Sequence, residues 1–170
     1  MYKVKSISIS PHLLELRNVC LTRNKLQLFS KLNIKVSAGE VVTIMGPSGC
    51  GKSSLLAYIC GTLSDAFQAS GEVFLNGSSL EGMAPEFRQV GILFQDDMLF
   101  PHMSVGQNLL FGLTPHVKGK NERTKRINQA LDESGLPGLA NRMPETLSGG
   151  QRSRVALMRT LLSEPKALLL

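Results

Sequence analysis

Tryptophan is absent from this chain and aromatic residues make up only 5% of it, which leaves few rings for the stacking platforms that single-stranded nucleic acids require. The cysteines are three, Cys20, Cys50 and Cys60. An odd count without metal-ligand spacing argues against a disulfide framework and suits a reducing compartment, the cytoplasm. No apolar run approaches the roughly 18 residues needed to span a bilayer. The longest, such as Leu109 to Leu113, are short and broken by glycine, and the chain is expected to be soluble. The opening MYKVKSISIS carries lysines but no apolar core, so it does not read as a secretion signal, and residues 1–12 are expected to be a short tail. Acidic residues are also scarce: 13 Asp and Glu against 19 Lys and Arg leave a formal charge of +6. What remains is a chain of 170 residues, 42% hydrophobic, long enough for one domain with a core of its own.

The positive balance admits nucleic acid, an anionic membrane surface or a polyphosphate as partner. The densest basic run, KGKNERTKR (Lys118 to Arg126), has no interleaved aromatics. It begins a helix on which Ile127, Ala130, Leu131 and Ser134 share a face. A solvated helix face accounts for it, and no nucleic acid partner is expected.

EVVTIMGPSGCGKSSLLAYIC changes character twice. The β-branched run Glu40 to Met45 predicts a strand, Gly46 to Gly51 a glycine-rich turn, and Lys52 to Cys60 a helix. Gly46-Pro47-Ser48-Gly49-Cys50-Gly51-Lys52-Ser53, with Ser54 behind it, fits G-x-x-x-x-G-K-[ST], in which glycines let backbone N–H groups turn inward around phosphate oxygens. Lys52 would bring its ammonium to the β- and γ-phosphates, and Ser53 would offer a hydroxyl to Mg²⁺. A chance match in a chain of this length has odds of roughly one in a hundred on average composition. The strand before it and the helix after it lower those odds further.

A second such place follows in ETLSGGQRSRVALMRTLL. Val155, Met158 and Leu162 keep helical spacing, with Arg152, Arg154 and Arg159 on the other side. Ser148 stands where an N-cap belongs, and its hydroxyl with the N–H groups of Gly149, Gly150 and Gln151 would form another anion site at a helix start.

GPSGCGKSS, then ILFQDDMLFPHMSVGQNLLFG, then LSGGQRSRVALMRTLLSEPKALLL together resemble the ATP-binding subunit of ABC transporters, and most nearly the small ATPases of bacterial import systems. The resemblance runs from about Leu13 to Leu170. It implies an α/β fold of P-loop NTPase type: a mixed sheet with a Walker A helix, an N-terminal antiparallel β-subdomain and a helical signature subdomain at about residues 96–160. It makes Gly46 to Ser53 the Walker A loop and Leu147 to Gln151 the signature motif. Gln95 becomes the glutamine that reaches Mg²⁺ and the attacking water. ATP and Mg²⁺ are the implied ligands, held in a head-to-tail homodimer in which Walker A of one copy and the signature of the other sandwich each ATP. The implied partners are transmembrane permease subunits and a separate substrate-binding protein, with the chain peripheral on the cytoplasmic face of the inner membrane. Met98, Leu99, Phe100 and Met103 fit either a surface that meets the permease or the core of the helical subdomain.

The resemblance also brings two departures. Ala167 to Leu170 matches the Walker B strand, which the family follows at once with an aspartate and a glutamate, so the chain is expected to be a C-terminally incomplete domain with little turnover of its own. A later strand of the family would stand between Glu40–Met45 and Ala167–Leu170, and without it the sheet is expected to be open and aggregation-prone. Second, the position at which the family places an aromatic ring against adenine holds Arg23, whose planar guanidinium can also stack on a base. Chromosome-maintenance ATPases share both motifs but separate them by a long coiled coil, and no heptads occur between Gln95 and Leu147. A nucleotide-binding module without turnover is the remaining alternative. The transported substrate is not written in this chain.

Overall fold

The computed structural model describes residues 13–170, so the tail expected at residues 1–12 lies outside the described residues. The chain divides into two compact units, the first ending at Val90 and the second running Gly91–Leu170.

In the first unit, β1 (Leu14–Arg23), β2 (Leu26–Val36), β3 (Phe67–Leu75) and β4 (Ser78–Ser79) form one sheet in the order β2-β1-β3-β4. All its pairings are antiparallel, as the resemblance implies. Both hairpins close through two residues of positive φ: Asn24 and Lys25 between β1 and β2, Asn76 and Gly77 between β3 and β4. That is the turn whose twist matches the flanking strands, and asparagine and glycine tolerate it. In β1 the alternation is broken at Asn18, which has a φ of 50° and whose N–H donates to Asn33 Oδ1 at 2.9 Å. The extra residue there shifts the register, so Leu16, Val19 and Leu21 all stay buried.

Helix α1 (Lys52–Cys60) has the bounds the sequence predicts and buries Leu55, Ile59 and Cys60. Tyr58 Oη donates to Gly71 O at 2.8 Å, which ties α1 to β3. At its C-terminus Gly61 adopts the left-handed conformation, and Arg88 donates Nη1 to Tyr58 O and Ile59 O. A cation on the last carbonyls answers the negative end of the helix dipole.

The run Glu40–Met45, predicted as a strand, forms none. Val41 and Met45 are about nine-tenths exposed, and no neighbouring strand among the described residues supplies hydrogen-bond partners. β-branched composition makes a strand only where a ladder is available.

Strand β5 (Val90–Ile92) begins at the last residue of the first unit, and the second unit goes on with α2 (Val105–Gly112), α3 (Lys120–Glu133), α4 (Gly149–Leu161) and β6 (Ala167–Leu169), which pairs with β5. Its core gathers Val105 and Leu109 of α2, Ile127, Ala130 and Leu131 of α3, and Val155 and Ala156 of α4. Ile127, Ala130 and Leu131 are three residues of the face read from the sequence, and Ser134 ends the helix as its C-cap. Of the four residues read two ways, Leu99 belongs to the core, Met98 is 60% exposed, and Phe100 and Met103 are half-buried. Gly112 lets α2 and α4 touch, because a β-carbon there would run into the Arg159 carbonyl oxygen.

Candidate functional site

In the first unit the glycine-rich loop leads directly into α1. Gly51 stands at the N-cap with φ 97°, and a β-carbon there would meet Phe29 at 2.9 Å. No side chain caps the first turn of α1, and no acidic residue lies in it. Its amides and the positive end of its dipole therefore remain available to an external anion. The Lys52 side chain folds back over the loop, its Nζ donating to Gly46 O and Pro47 O at 2.8 Å each, with Cys50 Sγ at 3.7 Å. Gly46 is packed against the same thiol, since a β-carbon at Gly46 would come within 2.9 Å of Cys50 Sγ. The loop is thus tightened around its own lysine.

Beside it opens a cavity of about 540 Å³ lined by Ser48, Gly49, Gly51, Lys52, Ser53 and Ser54, and across from them by Arg23, Asn24, Leu26, Leu28 and Phe67. The structure therefore gathers Arg23 with Ser48, Gly49 and Gly51 to Ser54 at one place, while Gly46, Pro47 and Cys50 are not part of the cavity's lining. Its volume and mixed lining of cation, hydroxyls and apolar side chains suit a phosphorylated organic molecule. Phe67 was not singled out in the sequence. It pairs directly with Arg23 across β1 and β3, a register that the sequence does not announce.

The second cradle lies in the other unit. Ser148 is the N-cap of α4, as expected, and forms a capping box: Ser148 Oγ accepts from Gln151 N at 3.3 Å while Gln151 Oε1 accepts from Ser148 N at 2.8 Å. The Gln151 N–H, expected to be open, is therefore already engaged, and Gly149 and Gly150 carry the open donors. No atom outside the local chain stands within 4 Å of where a β-carbon of Gly150 would be, so an approaching group can come close to the backbone there.

Gln95 is exposed, between β5 and the segment 97–103. That segment is fastened to α4 and α2 by two arginines expected on the outer side of α4, and by Asn108, which the sequence reading passed over. Arg152 Nε pairs with Asp97 Oδ2 at 2.7 Å, while its Nη1 donates to Leu147 O at 3.0 Å. Arg159 donates to Met98 O at 2.9 Å and Asp97 O at 3.3 Å, with its guanidinium 5.4 Å from the Phe100 ring centre. Burial pulls the Arg159 pKa below its ordinary value, against a smaller opposing effect of Asp97. Two of the three α4 arginines expected on its outer side are thus in use as fasteners, while Arg154 donates to Gly150 O and Ser134 O. Asn108, fully buried on α2, completes the attachment. Its signal was legible: Val105, Asn108, Leu109 and Gly112 share one helical face, and a lone amide on an apolar face needs partners.

A glycine-rich loop with its own lysine folded over it, leading into an uncapped helix N-terminus, is the arrangement of a P-loop protein. The family described as ABC transporter matches residues 29–170. The chain is 49% identical to an uncharacterized ABC transporter ATP-binding protein, YnjD of Escherichia coli, over 91% of this chain and 70% of that protein. It is 43% identical to the spermidine/putrescine import ATP-binding protein PotA of Pseudomonas aeruginosa, over 95% of this chain but only 44% of PotA. Among solved structures, CbiO1 of Clostridium perfringens, described as part of the ABC transporter complex CbiONQ, superimposes with a TM-score of 0.79 at 29% identity. The match covers 94% of this chain and 64% of CbiO1. The chain belongs to the ABC transporter family, as an ATP-binding domain. It spans less than half the length of PotA and about two thirds of YnjD and CbiO1. Among the described residues no helix is long and apolar enough to cross a membrane.

Proposed function

We propose that the protein to which this chain belongs binds and hydrolyses ATP to energise import through a membrane permease. The observation that carries the reading is the Lys52 ammonium held against Gly46 O and Pro47 O, beside an uncapped helix N-terminus and a cavity of nucleotide size. In this reading Gly46 to Gly51 and the first amides of α1 wrap the phosphates. Lys52 then leaves the loop carbonyls for phosphate oxygens, and Ser53 and Ser54 supply hydroxyls. Mg²⁺, when bound, neutralises charge between the phosphates. The exposed Ser53 hydroxyl fits the role of its protein ligand, and Gln95 that of a side chain reaching the metal and the attacking water.

The open amides of Gly149 and Gly150 support a second role, closing on the ATP of another copy in a head-to-tail homodimer. Exposed Met98 and Phe111, with Phe100 packed edge-on against Phe111 at 4.7 Å, support a surface for transmembrane permease subunits. Such a subunit would sit peripherally on the cytoplasmic face, and a separate substrate-binding protein would set what is carried.

The test is Lys52→Ala in the full-length protein, with ATP affinity read by calorimetry. Charge-assisted bonds to phosphate are worth roughly 1.5–3 kcal/mol, so affinity should fall about ten- to a hundredfold. An unchanged affinity would remove the loop from nucleotide binding.

A further inference from the structure

We infer that the basic N-terminal half of α3 is a membrane contact, at which Lys118, Lys120, Lys125 and Arg126 meet the anionic headgroups of a lipid surface. The inference rests on the peripheral location proposed above and adds to it a contact with the bilayer itself. Residues 118–125 are all exposed, and the first buried residue of the helix is Ile127. The first two turns of α3 thus run beyond the core with no apolar face. From Lys118 to Arg126 stand five cations and one anion, Glu122. None of the five has a carboxylate within ion-pair distance among the described residues. Arg123 folds back, its Nε donating to Val117 O at 3.0 Å, and the other four are uncommitted.

Solvation accounts for cations on a helix face, but not for their position on this one. The positive end of the helix dipole lies at Lys120, and the last turn holds Asp132 and Glu133 with no basic residue. Both ends therefore carry mostly the sign that the dipole disfavours. A local rule broken without a gain inside the molecule marks residues kept for a contact outside it.

Successive helical residues turn by about 100°, so Lys120, Lys125 and Arg126 stand on three sides of the helix. A groove that takes an acidic peptide would gather its cations on one side, whereas a helix end set against a plane of headgroups uses them all. Continuity favours the same occupant. Phe111, 67% exposed and part of the surface proposed for the permease, is separated from Lys118 only by Gly112 to Val117. That connection is tied down, with Thr114 N donating to Leu162 O at 3.0 Å and Val117 N to Thr114 O at 3.2 Å. Exposed apolar side chains followed by a basic run are what a segment at a membrane surface presents.

The experiment is sedimentation of the full-length protein, without nucleotide, with phosphatidylglycerol–phosphatidylcholine vesicles and with phosphatidylcholine alone. Binding is expected to the anionic vesicles only, and to weaken as salt rises. Each Lys or Arg near such a surface contributes about fivefold. Lys120→Gln/Lys125→Gln should therefore weaken partitioning roughly twenty-fivefold. Lys25→Gln/Lys31→Gln removes the same charge from the first unit and should leave partitioning unchanged. Equal binding to the two kinds of vesicle, or equal losses for the two lysine pairs, would overturn the inference. So would competition by inorganic phosphate at constant ionic strength, which would make this a free-phosphate site. Retention on polyglutamate without vesicle binding would overturn it too and assign the run to an acidic protein partner. Calorimetry with ATP on the same samples keeps the two readings apart. A wild type that binds ATP but not vesicles loses the membrane contact alone, and one that binds anionic vesicles but not ATP keeps it and loses the nucleotide reading.

Discussion

Asn108 offers the sharpest energetic test of the second unit. Its side chain is fully buried, with Oδ1 accepting from Phe100 N at 2.8 Å and Nδ2 donating to the carbonyls of Phe100, Met103 and Ser104 at 3.1 Å each. Two of those carbonyls have a second donor: Ser104 O takes the Asn108 N–H at 2.9 Å, and Phe100 O takes the Met103 N–H at 3.2 Å. Truncation to alanine therefore orphans two backbone groups, the Phe100 N–H and the Met103 carbonyl. A buried polar group left unpaired costs about 1–3 kcal/mol. Because Phe100 and Met103 are only half-buried, the lower part of the doubled range applies, and Asn108→Ala should lose about 2–4 kcal/mol. In a protein of this size that lowers the melting temperature by roughly 5–15 °C. Asn108→Asp keeps the size and one acceptor but turns an oxygen toward three carbonyl oxygens, so it should be at least as damaging. Urea unfolding of both variants gives the answer. A loss below about 1 kcal/mol for alanine, with aspartate tolerated, would refute the hydrogen-bond accounting.

Two further expectations concern packing and pH. Gly112→Ala forces a β-carbon onto the Arg159 backbone, which cannot turn aside, so α2 and α4 must part at a cost of about 1–3 kcal/mol. Gly150→Ala, where nothing stands in the way, serves as the control in the same urea series. The Arg17 guanidinium beside Glu15 holds that carboxyl below its ordinary value, with Lys35 helping. A depressed folded-state pKa stabilises above the unfolded value, about 4.3, and that contribution is lost as pH falls through the folded value. Melting curves across the acid range should show this loss in wild type and a shallower one in Glu15→Gln; identical slopes would contradict it.

Local punctuation was the most legible part of the sequence. The glycine loop, the span of α1 and the N-cap at Ser148 are each set by chemistry within a few residues, and they stand where the spacing puts them. Glu40–Met45 failed as a strand because a strand is made by its neighbours, whatever its own β-branched content. Arg152 and Arg159 of α4 were legible as residues facing away from the core, but they reach the carbonyls and carboxylate of a segment far away in sequence. Phe67 was hidden for a related reason: its place opposite Arg23 depends on the long-range pairing of β1 with β3 and on the register shift between Arg17 and Cys20, which no periodicity announces.

The capping box at Ser148 and Gln151 bears on how often the second cradle can be used. Each of these residues ties down the other's backbone N–H, so the first turn of α4 is closed by its own side chains before any visitor arrives. The conformational entropy of that turn is lost once, when the protein folds, and not again at each encounter. In the head-to-tail reading proposed above, an arriving anion would have only to strip water from the two glycine amides between them. Recognition at this helix end would then be a repeatable, low-reorganisation event, suited to a protein that must engage and release its ligand in every cycle.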